Sequence, residues 1–283
     1  MDNYFCGWYF KCQSEKQTLA LIPALHITGG EKSASIQIIC DTGTWNVPLS
    51  ADGVQIKRTQ PLALMGNSHF SPNGISLQVD SGTCHAFGSL QFGRPTPLRY
   101  DIMGPFTLVP FLECRHSVFS MWHRVRGEVC VNGVDYRFSD ATGYIEGDRG
   151  RSFPKRYLWT QCIVPGGALM LSVAEIPLGP VRFTGIIGVV WLGGKEYRLA
   201  TYLGARVSEH TDGRITIQQG GLSLSAVRLE RNGQPLHAPQ YGAMTRIIRE
   251  APACRAYYRF TCNGAPLLSF ESERASFEYE YPQ

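Results

Sequence analysis

"GYIEGDRGRSFPKRYLWTQC", residues 143–162, decides how the chain folds. Its two ends, "GYIE" and "YLWTQC", have the aromatic and apolar character of strands. Between them Gly147, Gly150 and Pro154 supply a bulge or sharp turn and a strand entrance. The stretch is either the seam between two β units or an active site, and the remainder of the chain bears on both readings.

Strand-length apolar or alternating runs dominate elsewhere, among them "LALIPALHI", "ASIQIIC", "GISLQV", "GEVCV", "RITIQ", "LSLSAVRL" and "SFEYEY". Tight-turn dipeptides punctuate them: Asn73–Gly74, Asn132–Gly133, Asn232–Gly233, Asn263–Gly264, Asp52–Gly53, Asp212–Gly213 and Gly193–Gly194. These residues accept the positive φ that two-residue hairpins require. Long capped amphipathic helical patterns are lacking. The pattern predicts an all-β chain of roughly a dozen and a half strands, closed or covered at its edges as barrels or sandwiches.

The sequence also repeats itself weakly and in order. "GWYFKCQ" leading to "TLALIPAL" resembles "RYLWTQC" leading to "ALMLSVAEIPL"; "PLRYDIMGPF" resembles "PLHAPQYGAM"; "CVNG" and "CNG" each lead to an aromatic and acidic strand, "GYIE" or "SFEYE". Three ordered matches predict a duplicated β unit, with an N-terminal barrel over residues 1–146 and a C-terminal barrel over 147–283. The opening stretch then runs from the last strand of one unit into the first strand of the next.

Composition bounds the function. With 27 Lys+Arg against 23 Asp+Glu, the net charge is only +4 and no basic run follows a phosphate backbone, so nucleic acid is not an expected partner. No apolar run reaches the ~18 residues of a membrane span. The N-terminal "MDNYFCGWYFKCQSEK" lacks the basic and apolar regions of a secretory signal, and a cytoplasmic location is expected. Contact with a membrane surface and the oligomeric state are left open. The nine cysteines form no C-x-x-C knuckle and read as buried reduced thiols. No phosphate loop, dinucleotide fingerprint or Gly-x-Ser-x-Gly elbow occurs in a strand-turn-helix context.

"YFCGWYFKCQ", "LIPALHI", "GPFTLVPFLECRHSVFSMWHRVRG", "GYIEGDRGRSFP" and "YLWTQC" together resemble the tocopherol cyclase-like family, over nearly the whole chain. The most specific blocks are Glu113-Cys114-x-His116 with Ser120 and His123, and Glu146-x-Asp148-x-Gly150-x-Ser152-Phe153-Pro154 followed by Trp159-x-Gln161. Cys6 and Arg149 depart from the family pattern, which usually has an acid and often a Trp at those places. The family looks distantly related to carotenoid hydratases. The resemblance implies two tandem lipocalin-like antiparallel β-barrels and an apolar isoprenoid- or polyketide-like ligand, with no metal and no organic cofactor. It also implies acid-assisted cyclisation, hydration or isomerisation, since tocopherol cyclase protonates a prenyl double bond and lets a phenol oxygen close the ring. A non-catalytic carrier for an apolar lipid or isoprenoid is the alternative.

Alkene protonation needs an acid kept protonated in an apolar site. Glu146 and Asp148, two apart on a strand, project to one face and form the candidate acid pair, with His116 beside them as acid, base or orienting donor. The competing reading is a salt network, with Arg149, Arg151, Lys155 and Arg156 holding the acids ionised at a barrel junction. Trp8, Glu113, His123, Arg149, Trp159 and Gln161 are the candidate substrate-binding residues. The aromatics either pack the core or stabilise a developing cation. In "ECRHSVFSMWH" a helix would gather Glu113, His116, Ser120 and His123 into a metal-like face. The following hairpin favours a strand instead, with Cys114, His116, Val118, Ser120 and Trp122 on one side.

Overall fold

The computed structural model describes residues 3–110, 112–178, 181–231 and 233–281. Two large antiparallel sheets account for nearly all of it. The first sheet contains β1 (Asn3–Gln13), β2 (Thr18–Thr28), β3 (Glu31–Cys40), β4 (Gly43–Leu49), β5 (Gln55–Ile56), β6 (Ala63–Met65), β7 (Ser68–Ser71), β8 (Gly74–Asp80), β9 (His85–Phe92), β10 (Cys114–Val131) and β11 (Val134–Gly150). The second contains β12 (Tyr157–Val164), β13 (Gly167–Leu178), β14 (Val181–Leu192), β15 (Lys195–Ala200), β16 (Arg206–Thr211), β17 (Arg214–Gln219), β18 (Leu222–Arg228), β20 (Ala243–Cys262) and β21 (Ala265–Tyr279), while β19 (Gln234–Gln240) pairs with β20 off the main path.

In each sheet the first strand of the half pairs with its last, β1 with β11 and β12 with β21. The registers correspond. Tyr9 stands opposite Glu146 in one seam, and Trp159 opposite Glu278 in the other. The expected hairpin turns form, with Asn132 and Gly133 at φ 49° and 82° and Asn263 and Gly264 at 49° and 80°. The Asn232–Gly233 turn includes a residue outside those described.

The chain divides into two compact units. One comprises Met1–Met103, Val109–Phe153 and Gln234–Ile248; the other comprises Gly104–Leu108, Pro154–Gly233 and Arg249–Gln283. Each half thus contributes a segment to the other's unit; Gly104–Leu108 begins within "PLRYDIMGPF", and Gln234–Ile248 contains "PLHAPQYGAM", the stretch that resembles it. In the second unit Phe106 packs against Phe183 and Tyr202. In the first, His237 and Gln37 exchange two hydrogen bonds of 2.9 and 3.0 Å between backbone and side-chain amide. Gly242 N donates to Arg151 O at 2.7 Å and Tyr241 N to Ser152 Oγ at 2.7 Å.

Each unit has its own apolar core. Trp8, Phe10, Leu21, Ile36, Phe70, Leu90, Val125 and Ile145 belong to the first, and Leu158, Cys162, Leu171, Ile217, Tyr258 and Phe277 to the second. β1 and β2 are buried on both faces, so they read as near-continuous apolar runs. Among the described residues no helix is long and apolar enough to cross a membrane.

Gly242 sits at φ 86°, and a Cβ there would stand 2.1 Å from the Ile27 carbonyl oxygen. Gly242→Ala is expected to cost about 2–4 kcal/mol, combining left-handed strain with a backbone clash. Urea unfolding followed by tryptophan fluorescence measures it; an unchanged midpoint contradicts this packing of the inserted hairpin.

Candidate functional site

Directly opposed residues of antiparallel strands share a face, and neighbours along a strand alternate. The β1–β11 and β10–β11 registers therefore put Tyr144, Glu146, Asp148, His116, Cys114, Gly7 and Tyr9 on one face of the first sheet. Trp8, Phe10, Ile145, Gly147 and Arg149 lie on the other, the core face.

On the first of these faces His116 stands between the two acids. Its Nδ1 lies 3.0 Å from Asp148 Oδ1 in a hydrogen bond, and its Nε2 lies 3.0 Å from Glu146 Oε2 in an ion pair that lacks hydrogen-bond alignment. Burial works against a charge on the imidazole, but the Glu146 and Asp148 carboxylates outweigh it and hold the His116 pKa well above the ordinary histidine range. Tyr144 Oη donates to Glu146 Oε2 at 2.6 Å, and Cys114 Sγ donates to Asp148 Oδ1 at 3.4 Å. Burial, reinforced by Glu146, raises the Tyr144 pKa well above its usual value; burial, reinforced by Asp148, does the same for Cys114. Both stay protonated and act as donors.

The two carboxyls differ in access. The Glu146 side chain is 6% exposed and that of Asp148 21%. Opposite Asp148 stands half-buried Gly7, whose own cross-strand neighbour is Ala24, so small residues flank Asp148 on this face. Asp148 is the more open of the two carboxyls, and Glu146 is the one fixed by Tyr144. An imidazole between two carboxyls at hydrogen-bonding distance is an arrangement that suits proton transfer. One ligand atom from each of His116, Glu146 and Asp148 also falls within 4.8 Å of the others, the dimensions of a metal site. The ring, however, spends one nitrogen on each acid, and a single cation can take only one of them, so the arrangement suits a proton better.

Two of the four basic residues of the expected salt network, Arg149 and Arg156, find other partners. Arg149 projects to the core face, where its Nη1 donates to Ser117 Oγ at 3.0 Å and Arg58 O at 3.3 Å, while Arg156 pairs with Glu175. Trp8 lies over Gly147 on the core face and donates from Nε1 to Lys57 O at 2.8 Å. Glu113 receives Arg151 N and Ser152 N on its backbone carbonyl.

The strand reading of 114–123 holds, but its phase shifts. Bulges between Val118 and Ser120 and between Ser120 and His123 move Ser120 off the His116 face. Ser120 instead meets His123 Nδ1 at 3.1 Å, and His123 packs against Phe92 with ring centroids 4.7 Å apart. Trp159 and Gln161 are buried in the second unit, opposite Glu278 and Ser276. There Tyr157 Oη donates to Glu278 Oε2 at 2.5 Å, a tyrosine–glutamate pair like that of Tyr144 and Glu146. Tyr144 and Gly7 were not singled out from sequence, and Cys114 was named only within the Glu113-Cys114-x-His116 block; Tyr144 carried a signal, being two residues from Glu146 on the same strand.

Histidine protonation tests this electrostatic picture. Burial pushes the His26 and His123 pKa values down to about 4. Nitrogen-15 NMR of the imidazoles at pH 7 is expected to show a doubly protonated His116 beside neutral His26 and His123. For the latter two the folded pKa lies below the unfolded value, so their stabilising effect is complete above about pH 6.5 and is lost as pH falls towards 4, on the order of a few kcal/mol for the pair. His116 has the opposite sign: its contribution is full below about pH 6.5 and is lost only as pH rises through its elevated folded value. A neutral His116 at pH 7 contradicts the assignment.

No protein-family model and no curated protein matches the sequence. Solved structures do. The chain is similar to CghA in its crystal structure with Sch210972, at 12% identity over 99% of this chain and 89% of that one, with a TM-score of 0.59. A second CghA structure matches at 11% identity, 100% and 90% coverage and a TM-score of 0.59. Kievitone hydratase from Nectria haematococca matches at 8% identity, 98% and 88% coverage and a TM-score of 0.53. At these identities the likeness establishes the fold, an almost all-β chain of two large antiparallel sheets shared with these proteins across nearly their full lengths.

Proposed function

We propose that the chain is a cofactor-free enzyme of the cyclase or hydratase type, acting on an apolar isoprenoid- or polyketide-like substrate, with Asp148, His116 and Glu146 as its acid–base machinery. The observation that carries this reading is His116 held between two carboxyls on a buried face, with Asp148 the more open of the two. Asp148 exchanges the proton with the substrate, and His116 resupplies or removes it. Glu146, fixed by Tyr144, holds the ring in place. Two carboxyls to one imidazolium favour positive charge developing on a nearby substrate, as alkene protonation requires. The structural neighbours support a small-molecule ligand: one CghA structure contains Sch210972, and kievitone hydratase is named for a hydration. The finer assignment to the tocopherol cyclase-like family rests on the sequence blocks around Glu113–His123 and Glu146–Gln161.

A prenylated hydroquinone incubated with the protein in D2O is the direct test. Cyclisation adds a deuteron from solvent to the alkene carbon and forms the ring C–O bond as the phenol loses its own proton. The product then has one non-exchangeable deuterium by mass spectrometry. Hydration would add the elements of D2O instead. Asp148→Asn and His116→Gln are expected to lower turnover by about 10²–10⁴-fold, and Tyr144→Phe by less, with His116→Gln also lowering the unfolding midpoint because it leaves two buried carboxylates without their cation. Wild-type turnover in both Asp148→Asn and His116→Gln overturns the residue assignment. A ligand that is bound and released unchanged by the wild-type protein favours the carrier.

A further inference from the structure

On the core face of β11, away from His116, the Arg58 and Arg149 guanidinium groups both act on Tyr4 and Cys6, and among the described residues neither has an acid partner. Arg149 stands opposite Cys6 on β1 and Arg115 on β10. It reaches the Arg58 carbonyl, and the Arg58 guanidinium lies 4.7 Å over the ring of Tyr4. The segment carrying Arg58 is pinned at Lys57, whose carbonyl accepts from Trp8 Nε1 and whose N donates to Leu62 O at 2.9 Å. The two arginines are therefore held in place by backbone and aromatic contacts rather than by charge.

Among the described residues no carboxylate pairs with either of them. Burial pushes the Tyr4 pKa up to about 12 and the Cys6 pKa up to about 11, so both groups between the arginines are uncharged at neutral pH. Asp148, although adjacent in sequence, turns to the opposite face and is engaged by His116 and Cys114. Glu113 lies on the Arg115 side of β10 and pairs with neither Arg58 nor Arg149. Among the described residues Arg149 contacts neutral oxygens, those of Ser117 and Arg58, and Arg58 contacts the Tyr4 ring. Two converging like charges over a partly buried, neutral floor repel each other until an anion joins them, and the planar guanidinium matches a carboxylate or phosphate with paired donors.

We propose that Arg58 and Arg149 form an oxyanion-binding site, taking the carboxylate or phosphate of an acidic small molecule above Tyr4. The site is separate from the His116 relay, on the other face of the same strand, and does not depend on that relay being catalytic.

Calorimetric titration of the full chain at low ionic strength, with benzoate in one arm and inorganic phosphate in the other, tests it. Saturable binding of at least one probe is expected, weakened about tenfold or more by Arg58→Gln and by Arg149→Gln and unaffected by Arg137→Gln, an exposed arginine already paired with Glu128 and Asp135. Binding of benzoate alone identifies a carboxylate site, and binding of phosphate alone a phosphate site. If Arg149→Gln fails to fold, Arg58→Gln still reads the loss, because Arg149 uses only the Arg58 backbone. Absence of saturable binding by both probes, or binding unchanged in Arg58→Gln, overturns the proposal.

Discussion

The alternation of side chains along β11 is the constraint from which the two polar clusters follow. Tyr144, Glu146 and Asp148 go to one face and Ile145, Gly147 and Arg149 to the other. Without that separation Arg149 would neutralise the acids beside it, and His116 would have no claim on them. With it, the acids find their cation across the β10 register, opposite Asp148, and the arginine is left to Ser117 and the Arg58 carbonyl. Two chemistries that would cancel in sequence are kept apart by the thickness of one sheet.

Burial then sets what each cluster is. A carboxylate taken from water without partners is costly, and here Glu146 accepts from Tyr144 and forms an ion pair with His116, while Asp148 hydrogen-bonds His116 and accepts from Cys114. The donors are as constrained as the acceptors, since burial keeps the tyrosine and the thiol protonated. Gly147 serves the opposite face. A Cβ there would stand 2.6 Å from the Trp8 ring, so the indole occupies the space the glycine vacates and seals the strand from its core side.

Much of this was legible in the sequence. The turn dipeptides predict the hairpins because only residues tolerant of positive φ fit them, and Asn132–Gly133 and Asn263–Gly264 adopt that backbone. A spacing of two sufficed to put Glu146 and Asp148 on one face. Period two also puts Arg149 on the other face, yet nearness along the chain invited the salt-network reading; the strand period, not sequence distance, decides such contacts. Ser120 was beyond the same reasoning. Its face depends on bulges at 118–120 and 120–123, and a bulge inserts a residue that no hydrophobic period announces.

The exchanged segments carry the same lesson to larger scale. The resemblance of "PLRYDIMGPF" to "PLHAPQYGAM" was visible, but not that Gly104–Leu108 and Gln234–Ile248 would each join the unit built mainly by the other half. Local sequence specifies a hairpin; which sheet it covers is set by partners far along the chain, such as the Gln37 amide that meets His237 across 200 positions. Duplication explains why the closing seams match in register, with Tyr9 facing Glu146 and Trp159 facing Glu278. It also explains why a buried glutamate accepting from a tyrosine occurs in both units. The histidine does not recur. Glu250, not valine, stands across from Glu278 where Val118 faces Glu146, and Ile248 holds the place two residues earlier that His116 holds in β10. A common seam has thus been given an imidazole between its acids in one unit, where the adjoining strand brings His116 to them, and among the described residues no histidine takes that place in the other.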